Sequence, residues 1–164
     1  MRNRSALVLM LFSSLSLSLG LATACGGSSG GSDVATPFVG TWTFDTGMVN
    51  ATCTGGLPNG SFPLAGLSGT ISRVDNSHIR FQANASCIIN FSVSGTTATA
   101  ASGQTCTLDT GTVGQQPIAI NSWTMVLTGG TMAATISGSA FLNMCMAMGT
   151  GSLTQHASDG GTGN

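Results

Sequence analysis

The sequence predicts an all-β domain, an antiparallel meander of roughly eight to ten short strands that closes into a small barrel, with a β-sandwich as the alternative. From Phe38 onward, apolar side chains recur at every second position, which is the period of a half-buried strand, and no stretch keeps helical spacing. Turn sequences such as Ser94-Gly95 and Gly129-Gly130 separate the runs, and the second is typical of a two-residue hairpin turn. The barrel is favoured because closing a meander removes its exposed edge strands.

Residues 1–24 have the pattern of an export signal rather than of a folded element. Arg2 and Arg4 form a short basic head, an apolar stretch follows, and small residues stand directly before Cys25. The run Leu21-Ala22-Thr23-Ala24-Cys25 resembles the lipobox of bacterial lipoproteins. This resemblance implies that Cys25 is lipidated after cleavage and that the lipid holds the protein on a membrane of the bacterial cell envelope, at the periplasmic face or the cell surface. An ordinary signal, cleaved at the same bond without lipidation, is the alternative.

The remaining chain divides by composition into three parts. Residues 25–36 are rich in glycine and serine and predict a flexible tether. Residues 37–156 are long enough for a single β domain with its own core. The polar residues 157–164 predict a disordered tail.

The start of the β domain carries a second resemblance. Gly40-Thr41-Trp42 is similar to the opening of the first strand in calycin barrels, the lipocalin and avidin group. In that group the tryptophan closes one end of the barrel, and the resemblance implies an interior that holds a small apolar ligand. The alternative is that Trp42 and Phe44 are ordinary core residues of a strand.

Four runs show the strand period most clearly, and in each the alternate residues are expected to face the core. These inward sets are Ile79, Phe81 and Ala83; Cys87, Ile89, Phe91 and Val93; Trp123, Met125 and Leu127; and Met132, Ala134, Ile136 and Gly138.

The five cysteines predict one lipidated residue and a disulfide framework. Lipidation of Cys25 leaves four cysteines, and exported chains meet an oxidising compartment in which disulfides persist. Four cysteines allow three pairings, of which we favour Cys87–Cys106, on neighbouring hairpins, with Cys53–Cys145, where a meander closes. The strand period predicts that all four face inward. A zinc site is the weaker alternative because no tight C-x₂₋₄-C pair is present.

Composition argues against several classes of function. The chain has no lysine, and after removal of residues 1–24 only two arginines stand against five aspartates. Nucleic-acid binding needs clustered basic residues, so we expect no nucleic-acid partner. His78 and His156 stand in no recognisable acid–base or nucleophile arrangement, and Asp75, three residues before His78, reads as part of a turn. We therefore expect no catalytic residues and no cofactor.

The run Met144-Cys145-Met146-Ala147-Met148 is the most unusual chemical feature of the β domain. On a strand, Met144, Met146 and Met148 share one face, and they face outward if Cys145 faces inward. Three outward methionines form a small apolar patch, whose simplest use is contact with another protein or with another part of this chain. Thioethers also select Cu(I), which makes copper binding the less favoured use.

The sequence as a whole resembles the short bacterial lipoproteins of unknown function. We expect a membrane-anchored protein with a structural or binding role at the cell envelope, rather than an enzyme. The two alternatives are a carrier of a small apolar ligand inside a calycin-like barrel and a Cu(I)-binding protein that uses the methionine strand. The sequence does not identify the protein or small-molecule partner.

Overall fold

The computed structural model describes residues 32–109 and 115–156, which contain one short 3-10 helix and ten strands. The helix spans Thr36–Phe38, and the strands are β1 (Gly40–Cys53), β2 (Gly60–Pro63), β3 (Ser68–Arg73), β4 (His78–Asn84), β5 (Cys87–Ser94), β6 (Thr97–Ala100), β7 (Gln104–Asp109), β8 (Gln115–Thr128), β9 (Thr131–Ala140) and β10 (Cys145–His156). The all-β prediction is confirmed. The signal, Cys25 and the tail predicted for 157–164 lie outside the described residues.

Eight of these strands form a closed antiparallel barrel. Their order around the ring is β1-β3-β4-β5-β6-β8-β9-β10, and the pairing of β10 with β1 closes it. The two further strands lie beside the longest members of the ring: β2 pairs with the second half of β1, and β7 with the first half of β8. The barrel predicted from the consecutive hairpins is therefore present.

Both chain ends of the domain lie at the same end of the barrel. Thr41 is opposite His156 at the start of the β1–β10 pair, and Cys53 is opposite Cys145 at its finish. We call the first of these the terminal end and the second the distal end. At about 3.3 Å per residue, β10 spans roughly 35 Å between them.

Inward side chains fill the barrel in the alternation that the sequence predicts. The largest side chains that are almost completely buried are Trp42, Phe38, Phe91, Ile71, Ile79, Ile89, Met125, Met132, Leu153 and Cys87. Trp123 packs edge-on against Phe81 and Phe91, with ring centroids 5.0 and 5.4 Å away, and its Nε1 has no hydrogen-bond partner among the described residues.

Ala83 is the exception to the predicted alternation, because it is exposed. The register between β4 and β5 shifts between Gln82 and Asn84, so one extra residue stands in β4 at this point. A bulge of this kind reverses the facing of the residues beyond it. The expectation that Ala83 continues the inward set of Ile79 and Phe81 was wrong for this reason.

The folded domain begins before residue 37, within the segment assigned from composition to the tether. Asp33 accepts hydrogen bonds from the amides of Ala35 and Thr36, each at 3.2 Å, and its carboxylate lies 3.0 Å from the Arg73 guanidinium. The Thr36 hydroxyl also donates to Asp33, at 2.7 Å, and this bond is the main cause that lowers the pKa of the Asp33 carboxyl. The fixed turn places Ala35 and Phe38 in the core, where both have no accessible surface.

Trp42 is completely buried near the terminal end of the barrel, next to this turn. Its indole Nε1 donates a hydrogen bond of 2.7 Å to the carbonyl of Phe38, so the buried polar group of Trp42 is satisfied. The short helix and the first strand are thereby joined by a single buried contact.

The structure pairs Cys53 with Cys145 and Cys87 with Cys106, which confirms the favoured arrangement. Cys87, Cys106 and Cys145 are buried, at 2–3% exposure. Cys53, the last residue of β1, is only half-buried, contrary to the expectation that all four face the core, although its partner Cys145 directly opposite is buried.

The side chain of Gln104, the first residue of β7, bonds to the backbone of β5 just beyond the end of β6. Gln104 accepts a hydrogen bond of 2.7 Å from the amide of Asn90 and donates one of 2.9 Å to its carbonyl. The side chain thus satisfies the backbone of β5 just beyond the end of β6, as an unpaired strand edge requires. Cys106 then joins the same edge through its disulfide to Cys87.

The two disulfides should differ in their contribution to stability because they close loops of different length. Their sequence separations are 92 residues for Cys53–Cys145 and 19 for Cys87–Cys106. Loop-closure entropy predicts that replacing the first pair by alanines lowers the free energy of unfolding by about 4.5 kcal/mol, and replacing the second by about 3 kcal/mol. Denaturant unfolding of the two double variants measures the difference. A larger loss for the Cys87/Cys106 variant would show that core packing, not loop closure, dominates.

Candidate functional site

Three methionines point outward from the start of β10 and its preceding turn. The exposed fractions are 40% for Met144, 48% for Met146 and 68% for Met148, whereas Cys145 is only 3% exposed. This is the orientation predicted from the strand period. The sulfur of Met144 rests against the turn after β1, close to Gly55.

Strand pairing adds a fourth methionine that the sequence analysis did not include. Met48 of β1 is 45% exposed, and it lies opposite Thr150 of β10. Asn50, two residues further along β1, lies opposite Met148. Met48 and Met148 are therefore diagonal neighbours on one face of the sheet. We call Met48, Met144, Met146 and Met148 the methionine face.

A signal that locates Met48 is nevertheless present in the sequence. Once Cys53 is taken to lie opposite Cys145, an antiparallel register counts back to Asn50 opposite Met148 and Met48 opposite Thr150. The pairing joins residues about a hundred positions apart, so local patterns give no direct indication of it. The cysteines are the only residues whose identity points to that register.

A shallow groove is formed by β1, β9 and β10 and includes two members of the methionine face, Met48 and Met148. Its volume is about 290 Å³, and it is lined by Met48, Asn50, Thr135, Ile136, Met148, Gly149 and Thr150. At Gly149 an added Cβ would lie 2.6 Å from Val49 Cγ2 and 2.9 Å from the Met48 carbonyl oxygen. Only glycine lets β10 approach β1 this closely, so Gly149 shapes the sheet where the groove lies.

The groove has no charged lining residue. Instead, a row of hydroxyl side chains crosses the outer surface of the barrel and ends beside Met48; its members, each opposite the next in register, are Ser92, Thr99, Thr124, Thr135 and Thr150. The charged Asp33–Arg73 pair lies at the terminal end, away from the groove. The groove therefore offers thioethers, hydroxyls and an amide, and it suits a neutral or soft ligand better than a hard ion.

The pair formed by Asp75 and His78 is a turn contact, as the sequence analysis interpreted it. His78 Nδ1 lies 2.9 Å from each carboxylate oxygen of Asp75, and both side chains are more than half exposed. The amide of Ser77 donates a 2.8 Å hydrogen bond to Asp75, and this bond is the first cause that lowers the pKa of the Asp75 carboxyl, followed by the bond with His78. The Ser77 hydroxyl lies 3.2 Å from His78 Nδ1 and also donates a 3.2 Å hydrogen bond to Asp75. Both Ser77 and Asp75 thus contact the same ring nitrogen, so these contacts hold the turn and do not place the imidazole between a carboxylate and a nucleophile.

His156, the other histidine, ends β10. Among the described residues, no group of three or more histidine, cysteine, aspartate or glutamate side chains is placed to hold a metal ion. The four cysteines of the domain are all consumed in disulfides, so the alternative of a zinc site does not fit.

Five inward side chains show how the barrel interior is filled. Trp42, Ile79, Ile89, Met125 and Leu153 have no accessible surface. A side chain without accessible surface borders neither solvent nor a void large enough for water. Side chains therefore fill the barrel at these levels, as they do in other small barrels.

Comparison of the chain with models of protein families, with curated proteins and with solved structures found no match. Within the described part of the chain, no helix has the length and apolar character needed to cross a membrane.

Limited oxidation should separate the methionines by their exposure, because accessible thioethers form sulfoxide first. A low dose of hydrogen peroxide should modify Met148 before Met146, and Met146 before Met125 or Met132, which have no accessible surface. Peptide mass spectrometry over a time course measures each site, and the buried pair serves as the internal control. Early sulfoxide at Met125 or Met132 would contradict the assignment of inward and outward methionines.

Proposed function

We propose that this chain is a lipid-anchored protein of the bacterial cell envelope that binds a partner through the methionine face. The observation that carries the proposal is the exposure of four methionines, two of which line an uncharged groove, while two further methionines of the domain are fully buried. Methionine is flexible and polarisable, and such side chains are common at surfaces that adapt to a partner.

The end at which the chain enters the barrel supports this role. The chain enters the domain at the terminal end, where Thr41 pairs with His156. Met48 and Met146 lie about 20 to 35 Å further along the β1–β10 pair, towards the distal end. Most of the methionine face therefore lies away from the end at which the chain enters the described domain.

A carrier of a small apolar ligand inside the barrel is the less favoured function, since the interior at Trp42, Ile89 and Met125 is filled. The complete burial of Trp42 suits the role of an ordinary core residue. The binding role therefore falls to the outer surface.

The anchor is tested by replacing Cys25 with serine in cells that produce the full chain. We expect the wild-type protein in the membrane fraction, with a diacylglyceryl adduct on its N-terminal cysteine, and the Cys25→Ser protein in the soluble fraction. Fractionation and mass spectrometry measure these outcomes. An unmodified Cys25 terminus, or equal membrane partition of the two proteins, would contradict the anchor.

The binding face is tested by photocrosslinking in the same cells. A photoreactive amino acid at Thr52, which is opposite Met146 and exposed, should give a discrete adduct, whereas the same probe at exposed Thr99 on β6 should not. Replacing Met146 and Met148 with serine should weaken the Thr52 adduct severalfold, because the face loses its apolar contacts. Equal crosslinking from Thr52 and Thr99, or an adduct indifferent to the serine replacements, would refute the proposed face.

A further inference from the structure

Two thioethers converge on the groove from neighbouring strands. Met48 of β1 and Met148 of β10 both line it, and the register makes them diagonal neighbours on the same face. Diagonal positions of an antiparallel pair are roughly 7–8 Å apart, which long side chains can bridge. A single ion above the sheet is therefore within reach of both thioether side chains.

The surroundings decide which ligand such a pair suits. Thioether sulfur is a soft donor that selects Cu(I), while the oxygens of Asn50, Thr135 and Thr150 are hard donors that suit other ions. No acidic or histidine side chain lines the groove. The strongest soft ligands of the domain, the thiolates of its four cysteines, are absent because these residues form disulfides.

We propose that the groove binds one Cu(I) ion between the sulfurs of Met48 and Met148. The inference rests on the proposed function only in that it uses the same methionine face. The ion is bound without any change of oxidation state, and neither ligand releases a proton. The site is neutral, so the bound ion keeps its full positive charge.

This site differs from the one that the sequence suggested for Met144, Met146 and Met148. Met146 lies opposite Thr52, four residues along β1 from Met48, a distance of roughly 13 Å along the strand. Met146 and Met48 are therefore too far apart to hold the same ion. Met48, which was absent from the sequence hypothesis, is thus a ligand of the proposed site, and Met146 lies outside it.

Conservative replacements test the assignment in the full chain. Anaerobic titration with Cu(I) against a chromophoric chelator should show one ion per protein. Replacing a residue that only orients a metal ligand typically lowers metal affinity by about 10–100-fold. Met48 and Met148 are themselves the proposed ligands, so Met48→Leu or Met148→Leu should weaken Cu(I) binding by at least about tenfold. Met146→Leu, the matched control on the same face, should change the affinity by less than about twofold.

The pH dependence supplies a second readout. A thioether carries no proton to lose, whereas a histidine ligand titrates between about pH 5 and pH 8. The Cu(I) affinity should therefore stay constant over that range. An affinity that rises with pH would overturn the proposal and would indicate His78 or His156 as the ligand. Loss of binding in Met146→Leu but not in Met48→Leu would also overturn it, as would unchanged binding in all three variants.

The two proposals fail separately. Leucine keeps the face apolar and close to methionine in volume, so the Thr52 crosslink should survive the replacements that abolish Cu(I) binding. A protein that crosslinks but binds no Cu(I) refutes the metal site alone. A protein that binds Cu(I) through Met48 and Met148 but gives no specific crosslink refutes the proposed partner contact alone.

Discussion

The pairing of the first strand with the last is the constraint on which the rest of the barrel depends. Twelve residue pairs join β1 to β10, from Thr41↔His156 to Cys53↔Cys145. Without this pairing, both strands would present long edges with unsatisfied backbone groups. The pairing is also the most non-local in the fold, so the chain orders much of its length before these contacts stabilise it. The Cys53–Cys145 disulfide holds the two strands in register at the point most remote from the chain ends.

Glycine makes this closure sterically feasible. An added Cβ at Gly47 would lie 2.8 Å from the Gly151 Cα, and one at Gly151 would lie 2.7 Å from the Thr46 carbonyl oxygen. Contacts this short leave no room for a Cβ atom where β1 and β10 lie against each other, so glycine is required there. Part of the chain's high glycine content therefore serves the barrel itself, in addition to the turns and the predicted tether. The same close approach continues at Gly149, which lines the groove together with Met48 and Met148.

Local patterns were sufficient for much of the fold. The alternation of Cys87, Ile89, Phe91 and Val93 survives intact, because a strand with one face in the core repeats every two residues whatever its neighbours are. Ala83 departs from the pattern because a bulge depends on the register with β5, which the residues of β4 alone do not specify.

The ordered start of the domain depends on a contact that composition does not reveal. Asp33 meets Arg73 across forty residues, and its carboxylate fixes a turn in a segment otherwise rich in glycine and serine. The groove also depends on residues that are distant in the chain. The strand period predicts that Met148 faces outward, but its position beside Met48 follows from the pairing of β1 with β10. The orientation of each side chain was thus predictable from the sequence. Its neighbours on other strands were not, because they depend on the register between strands that are distant in the chain.

The position of the chain ends gives the domain a particular response to mechanical load. Because Thr41 and His156 lie opposite each other at the terminal end, opposite forces applied at these two residues would separate β1 from β10 one residue pair at a time. Such unzipping meets a much lower resistance than shearing, in which all the pairs must break together. The strands can part only as far as the covalent link between Cys53 and Cys145. A pulled domain would therefore open along its closing seam, expose the buried faces of Trp42 and Leu153, and stop with both strands still joined beside the methionines.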